Sequence, residues 1–100
     1  MDFERRQLMQ ALTTLAIEKV LLNMGKPVFE KVTDKLRKEY KCYIPDCYDH
    51  PEFLEGALKC IFGNSSRAIM ESIVEELADY TYDQGVRTVI STITKQYVSV

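Results

Sequence analysis

The residues from Leu8 to Pro27 read LMQALTTLAIEKVLLNMGKP, and the pattern of apolar residues in this stretch predicts the first helix of the chain and the point where it ends. Its apolar side chains recur at three- and four-residue intervals, as they do on one face of an α-helix: Leu8, Ala11, Leu12, Leu15 and Leu22. Four more apolar residues widen that face: Ile17, Val20, Leu21 and Met24. The pattern therefore predicts a first helix from Glu4 to Met24 that is central in the fold or covered on two sides. Gly25 suits the left-handed residue that ends many helices.

A second amphipathic segment begins at Pro27, which fits the first turn of a helix. Its apolar face is predicted to consist of Val28, Phe29, Val32, Leu36 and Tyr40. On its exposed side, Asp34 and Lys38 are spaced to form a stabilising ion pair. Residues 41–50 are predicted to form the one substantial loop, because Pro45 disfavours a helix interior.

The second half of the chain contains three further apolar segments. A third helix is expected to start at Pro51 and to end at Gly63. A fourth is expected to bury Ile69, Ile73, Leu77 and Tyr80. Residues 85–100 are rich in valine, isoleucine and threonine, which favours a strand, but the adjacent Val89 and Ile90 break strict alternation and favour a helix. We therefore predict an all-α protein, a compact bundle of four to five helices forming a single domain over residues 1–100.

The composition argues against two classes of protein, nucleic-acid-binding domains and enzymes. The chain has 100 residues, with 13 basic and 15 acidic side chains and a formal net charge of −2. A dedicated nucleic-acid-binding domain is normally basic, so this balance argues against one. The chain has a single histidine and carries no recognisable catalytic signature. We therefore expect no enzymatic activity and no cofactor.

The compartment is inferred from the N-terminus and the cysteines. The first residues mix charges and lack the apolar core of a secretory signal peptide. The segment 8–24 is too short and too polar to cross a bilayer. The three cysteines are an odd number, which is most simply explained by reduced thiols. We expect a cytoplasmic protein with no membrane contact.

A zinc or thiol site is the alternative function that the loop offers. Cys42, Cys47 and His50 lie within nine residues, and Cys60 follows on the third helix. Thiolate and imidazole are the ligands that structural zinc prefers, although the paired spacing of most zinc sites is missing. A thiol activated by His50 would be the catalytic version of the same cluster. A cysteine buried in the core is the competing interpretation for each thiol.

A second alternative is a nucleic-acid-associated regulator. Lys31, Lys35 and Lys38 lie on one face of the second helix and could follow a row of phosphates. No aromatic side chains alternate with these lysines to stack on bases, so we expect a solvated face and regard nucleic acid as an unlikely partner.

Aromatic and apolar residues at two places predict an interaction surface with another protein or with a second copy of the chain. Tyrosine combines a large apolar area with a hydroxyl group and is enriched at interfaces. The C-terminal segment carries more apolar side chains than a small core needs. The predicted contact residues are Tyr43, Tyr48, His50, Val89, Ile93 and Tyr97.

The stretch between Leu22 and Tyr80 resembles a family of small archaeal domains, the Nitrosopumilus output domain of the fifth type. The residues that carry the resemblance are Gly25, 35–40, 44–46, 51–54, 58–63 and 70–77. The family is short and helical and lies at the end of archaeal signalling or regulatory chains, with no established activity. The resemblance implies an archaeal regulatory or interaction module, which agrees with the expectation of a non-enzymatic, self-associating protein.

Overall fold

Five α-helices form the fold of the computed structural model, which describes the backbone of residues 2–98 and the side chains of residues 3–94. The helices are α1 (Asp2–Met24), α2 (Lys26–Tyr40), α3 (Pro51–Phe62), α4 (Ser66–Leu77) and α5 (Gln84–Val98). Short 3-10 helices lie in the connections at Ile44–Tyr48, Gly63–Ser65 and Ala78–Tyr80. Residues 2–98 contain no strand, so the predicted all-α bundle is confirmed, including its C-terminal helix.

The predicted boundaries of α1, α2 and α3 and the predicted start of α5 agree with the structure to within one or two residues, whereas α4 ends at Leu77, three residues before Tyr80. Gly25 separates α1 from α2 and has a φ of 126°, a conformation that side chains with a Cβ rarely adopt. Pro27 and Pro51 lie in the first turns of α2 and α3, where a missing backbone N–H breaks no helical hydrogen bond. The expected ion pair is also present, with Lys38 Nζ 3.1 Å from Asp34 Oδ2.

The segment 41–50 is more ordered than the loop predicted from the sequence. Its middle forms the 3-10 helix Ile44–Tyr48, hereafter the 44–48 helix, with Pro45 in the first turn. The Asp46 carboxylate accepts a hydrogen bond of 2.8 Å from the backbone N–H of Tyr43. The 44–48 helix packs against α1, α3 and α5, so this segment is part of the body of the protein.

One contiguous core joins the helices. The predicted inner faces of α2 and α4 are confirmed, and α3 and α5 each bury one apolar face against them. The fully or nearly fully buried residues are Val32, Leu36, Leu54, Leu58, Ile69, Ile73, Leu77, Val86, Val89 and Ile93. Val28, Phe29, Tyr40 and Tyr80 are partly buried against them. The Cα radius of gyration is 12.7 Å, close to the value of about 13 Å that a folded chain of 100 residues adopts.

The prediction identified only part of the buried face of α1. The helix packs on α2, α4, α5 and the 44–48 helix through Met9, Thr13, Ala16, Ile17, Val20 and Leu21. Of the residues predicted to form the apolar face, Ile17, Val20 and Leu21 are buried and Leu12 is only partly buried. The others are exposed: Leu8, Ala11, Leu15, Leu22 and Met24. Both faces are apolar, but turning the second one inward would also bury its neighbours Glu18 and Lys19, at a large desolvation cost. Because its outer face is exposed, α1 is not covered on two sides.

Thr13 places a hydroxyl group within this interface. Its side chain is 1% exposed, and Oγ1 has no hydrogen-bond partner among the described residues. We expect Thr13→Val to raise the free energy of unfolding by about 1 kcal/mol, because the variant keeps the shape and removes the unpaired group. Thr14→Val is the matched control, since Thr14 donates a hydrogen bond of 2.8 Å to the Gln10 carbonyl. Equal effects of the two substitutions in urea unfolding would contradict this interpretation.

Candidate functional site: an exposed leucine row

Tyr48 is a core residue rather than a contact residue, which corrects the prediction. It is 6% exposed, and its hydroxyl donates a hydrogen bond of 2.6 Å to Asp83 Oδ2. The same carboxylate oxygen accepts the backbone N–H of Val86 at 3.0 Å and so caps the first turn of α5. Burial, with the neighbouring Asp83 carboxylate, raises the pKa of Tyr48 to about 12. Tyr48 therefore joins the 44–48 helix to the start of α5.

Val89 and Ile93 are likewise unavailable to a partner. Both side chains are 0% exposed, because α5 turns them towards α3 and α4. The prediction that they form an interface is wrong for the folded chain: the bundle itself covers this face. The side chain of Tyr97, the third predicted contact on this helix, lies outside the described residues.

Tyr43 and His50 are the two predicted loop residues that reach the surface. Tyr43 is 65% exposed. The His50 ring stacks on Phe53 with the centroids 4.8 Å apart, and Nδ1 lies 3.2 Å from Glu52 Oε2. These contacts hold the imidazole over the first turn of α3.

The proposed zinc ligands do not form a metal site. Among the described residues, no three of the histidine, cysteine and acidic side chains are grouped so that they could hold a metal ion. Cys42 and Cys47 are buried, and burial is the main cause that raises the pKa of both thiols. Since the thiolate is the nucleophile, burial and a raised pKa argue against either thiol as a nucleophile at neutral pH. Cys60 is exposed on α3.

The burial of the thiols predicts their reactivity. We expect iodoacetamide to modify Cys60 of the native protein, and to modify Cys42 and Cys47 only when the fold opens, because their thiols are shielded and protonated. Intact-mass spectrometry should show one adduct in buffer and three in denaturant. Modification of all three thiols at equal rates in buffer would contradict the structure.

The lysine row on α2 is largely neutralised by its own helix. Lys35 Nζ lies 2.7 Å from Glu39 Oε2, and Lys38 pairs with Asp34 as described above. Lys31 is exposed. Carboxylates so close to the ammonium groups weaken the positive field that would attract phosphates, so the geometry gives little support to a nucleic-acid partner.

The strongest surface feature is a row of three leucines on the outer side of α1, hereafter the leucine row: Leu8, Leu15 and Leu22. Their side chains are 55%, 59% and 49% exposed, and they are spaced seven residues apart. Seven residues are almost two helical turns, so the three side chains lie in line along the helix. This row faces away from the core, and leucines repeated every seven residues are typical of helices that pair with another helix.

Two shallow grooves flank the leucine row. One holds about 530 Å³ and is lined by Gln7, Gln10, Ala11, Thr14, Leu15 and Pro45. The other holds about 160 Å³ and is lined by Leu12, Leu15, Ala16, Lys19, Glu76 and Tyr80. A ridge of apolar side chains between two grooves is a shape that another helix can pack against.

The sequence pattern assigned these leucines to the core, but their exposure could have been predicted. The seven-residue repeat is visible in the sequence, as is the second apolar face of the same helix. Asp83 was not identified either, although an aspartate three residues before Val86 is a common helix cap.

Comparison with protein-family models, with curated proteins and with solved structures gives no match. The resemblance to the Nitrosopumilus output domain therefore stays a prediction. Over residues 2–98, no helix combines the length and the hydropathy that crossing a membrane requires.

Proposed function

We propose that this protein is a non-enzymatic interaction module that associates with a second copy of itself through the leucine row. The observation that carries the proposal is the exposure of Leu8, Leu15 and Leu22 in one line on a helix that already has a complete buried face. Apolar surface in a continuous patch is a marker of protein–protein contact. A second copy fits because a leucine repeat is complementary to itself.

The expected association is weak and reversible. Complete burial of a leucine is worth about 1.5–3 kcal/mol, so covering six half-exposed leucines gives about 6 kcal/mol before costs. Lost translational and rotational freedom opposes this gain by about 4 kcal/mol or more. α1 has 23 residues and a length of about 34 Å, so its outer face is smaller than the roughly 800 Å² per partner of a standard interface. Concentration-dependent pairing suits a regulatory module, the role that the resemblance implies.

The two alternatives rest on weaker observations. A zinc- or thiol-dependent domain would need Cys42, Cys47 and His50 to act together, whereas the two thiols are buried and the imidazole stacks on Phe53. A nucleic-acid-associated regulator would need unpaired lysines on α2. An interaction module needs only the surface that α1 presents.

Leu15→Lys tests the proposal at the centre of the leucine row. Lysine is a good helix former, so α1 and the core should be unaffected, while a charge in the contact should abolish pairing. Sedimentation velocity over a series of concentrations up to the millimolar range should show a monomer–dimer equilibrium for the wild type and a monomer for the variant. Far-UV circular dichroism should be the same for both.

Tyr43→Lys is the matched control, because Tyr43 is equally exposed but lies outside the leucine row. We expect it to pair like the wild type. If Tyr43→Lys abolished the dimer and Leu15→Lys did not, the 44–48 region would be the interface instead. A wild-type protein that remained monomeric at every concentration would refute self-association.

A further inference from the structure

The leucine row is flanked by charges in a regular arrangement. Pairs of adjacent residues lie midway between the leucines and at the N-terminal end of the row: Glu4 with Arg5, Ala11 with Leu12, and Glu18 with Lys19. Because successive helical residues are 100° apart, the first member of each pair lies on one side of the row and the second member on the other. The outer face of α1 therefore has an acidic edge, Glu4 and Glu18, and a basic edge, Arg5 and Lys19.

The basic edge is engaged within the monomer but remains accessible. Arg5 Nε lies 3.6 Å from Asp83 Oδ1, with the guanidinium 5.4 Å from the centre of the Tyr82 ring. Lys19 Nζ lies 3.2 Å from Glu76 Oε1. The two cationic side chains are still 53% and 61% exposed. They can therefore meet another carboxylate without leaving these contacts.

The acidic edge lacks such partners. Among the described residues, neither Glu4 nor Glu18 forms an ion pair. An edge of unpaired carboxylates beside an apolar row is suited to a partner that brings cations to that edge.

The orientation of a symmetric pair determines which edges meet. When a twofold axis runs parallel to both helices, the left edge of one helix faces the right edge of the other. When the helices are antiparallel, each edge faces the same edge of its partner. Like charges that face each other across an interface are unfavourable, so the two orientations differ in energy.

Resting on the self-association proposed above, we propose that two copies pair with their α1 helices parallel and in register. Leu8, Leu15 and Leu22 then meet the same residues of the second copy. The acidic edge of each copy lies along the basic edge of the other, with Glu18 near Lys19. At the centre, Ala11 faces Leu12, so apolar contacts continue between the two charged ends. An antiparallel pair would instead place acidic edges together and basic edges together.

Disulfide crosslinking distinguishes the two orientations. In a Cys60→Ser background, which leaves only buried thiols, Leu8→Cys and Leu22→Cys are prepared as separate proteins. In a parallel pair, each variant should crosslink with itself under mild oxidation, and a mixture of the two should give no mixed disulfide. A third variant, Leu15→Cys, is mixed with Leu8→Cys in the same way. If Leu8→Cys formed no disulfide with itself but formed a mixed disulfide with Leu22→Cys or Leu15→Cys, the pairing would be antiparallel and the proposal would be overturned.

A charge reversal gives an independent test, because the dimer affinity should change in opposite directions in the two orientations. Glu18→Lys should weaken the parallel dimer about tenfold, because the introduced ammonium group would face Lys19 of the second copy. In an antiparallel pair in which Leu8 meets Leu15, the same ammonium group would meet Glu4 of the second copy and tighten the dimer. Glu71→Lys, an exposed site on α4 with the same change of net charge, should leave the affinity unchanged. Sedimentation velocity separates the two proposals: a wild-type monomer refutes self-association, whereas a dimer that Glu18→Lys tightens refutes only the parallel orientation.

Discussion

Gly85→Ala should lower the free energy of unfolding by about 3 kcal/mol, although alanine is normally better than glycine in a helix by about 1 kcal/mol. A Cβ atom at position 85 would overlap the hydroxyl end of the Tyr48 ring and would lie 2.8 Å from Cε1. The Tyr48 ring cannot move away easily, because the side chain is buried and its hydroxyl donates a hydrogen bond to Asp83. The substitution must therefore displace either the ring or the first turn of α5.

A double-mutant cycle in urea identifies the cause. In a Tyr48→Ala background the ring is absent, so Gly85→Ala should become neutral or slightly stabilising. Thr88→Ala, at an exposed position of the same helix, should change the free energy by less than about 0.5 kcal/mol. If Gly85→Ala lowered the free energy of unfolding equally with and without the Tyr48 ring, the close approach of Tyr48 would not be the reason for glycine at this position.

Asp83→Ala is expected to cost about 3 kcal/mol, as the sum of two losses at one carboxylate. The Val86 N–H loses its cap, which is worth about 1 kcal/mol. The Tyr48 hydroxyl is left buried without its acceptor, which costs about 1–3 kcal/mol. The ion pair with the half-exposed Arg5 should add little, because water screens it.

Comparison with Asp83→Asn and Tyr48→Phe separates the two losses. Asparagine keeps a capping oxygen, so Asp83→Asn should cost clearly less than Asp83→Ala. The effects of Tyr48→Phe and Asp83→Ala should be less than additive, because both remove the same hydrogen bond. Strict additivity in urea unfolding would show that the two residues act independently and would contradict the contact.

These predictions concern stability. Gly85 and Tyr48 lie where α5 meets the 44–48 helix, whereas the leucine row lies on the opposite side of α1 from the core. Gly85→Ala and Tyr48→Phe proteins that remain folded should therefore pair like the wild type, whereas Asp83→Ala also removes the ion-pair partner of Arg5 on the basic edge. Leu15→Lys should show the reverse behaviour, with altered association and unaltered stability.

The helices could be predicted because most of them carry a single apolar face. In α2 and α4 the spacing of the apolar residues identifies the buried row, and in α5 it identifies the apolar face. Turn residues such as Gly25 and Pro51 mark the boundaries. Even the β-branched α5 is identified by the adjacent Val89 and Ile90, which a strand would point in opposite directions. Local spacing and local backbone preference are sufficient for such elements.

The burial of Tyr48 and the exposure of the leucine row were harder to predict, because each has two possible environments. Tyr48 lies in a polar segment that is typical of a surface loop, and its buried hydroxyl donates to Asp83, which is 35 residues away. The leucine row reads as core because it is apolar. Its exposure follows from competition with the other face of α1, whose buried members between Met9 and Leu21 include no charge.

The sequence by itself determined the helical class, the order of the helices, most of their ends and the inner faces of α2 and α4, since periodicity and chain-breaking residues act over a few neighbouring positions. Only the tertiary structure determined which face of α1 enters the core and which loop residues are buried. A helix with two apolar faces has no local preference between them. The choice is made by distant side chains, which bury the face that carries no charge and leave Leu8, Leu15 and Leu22 facing outward between Glu18 and Lys19.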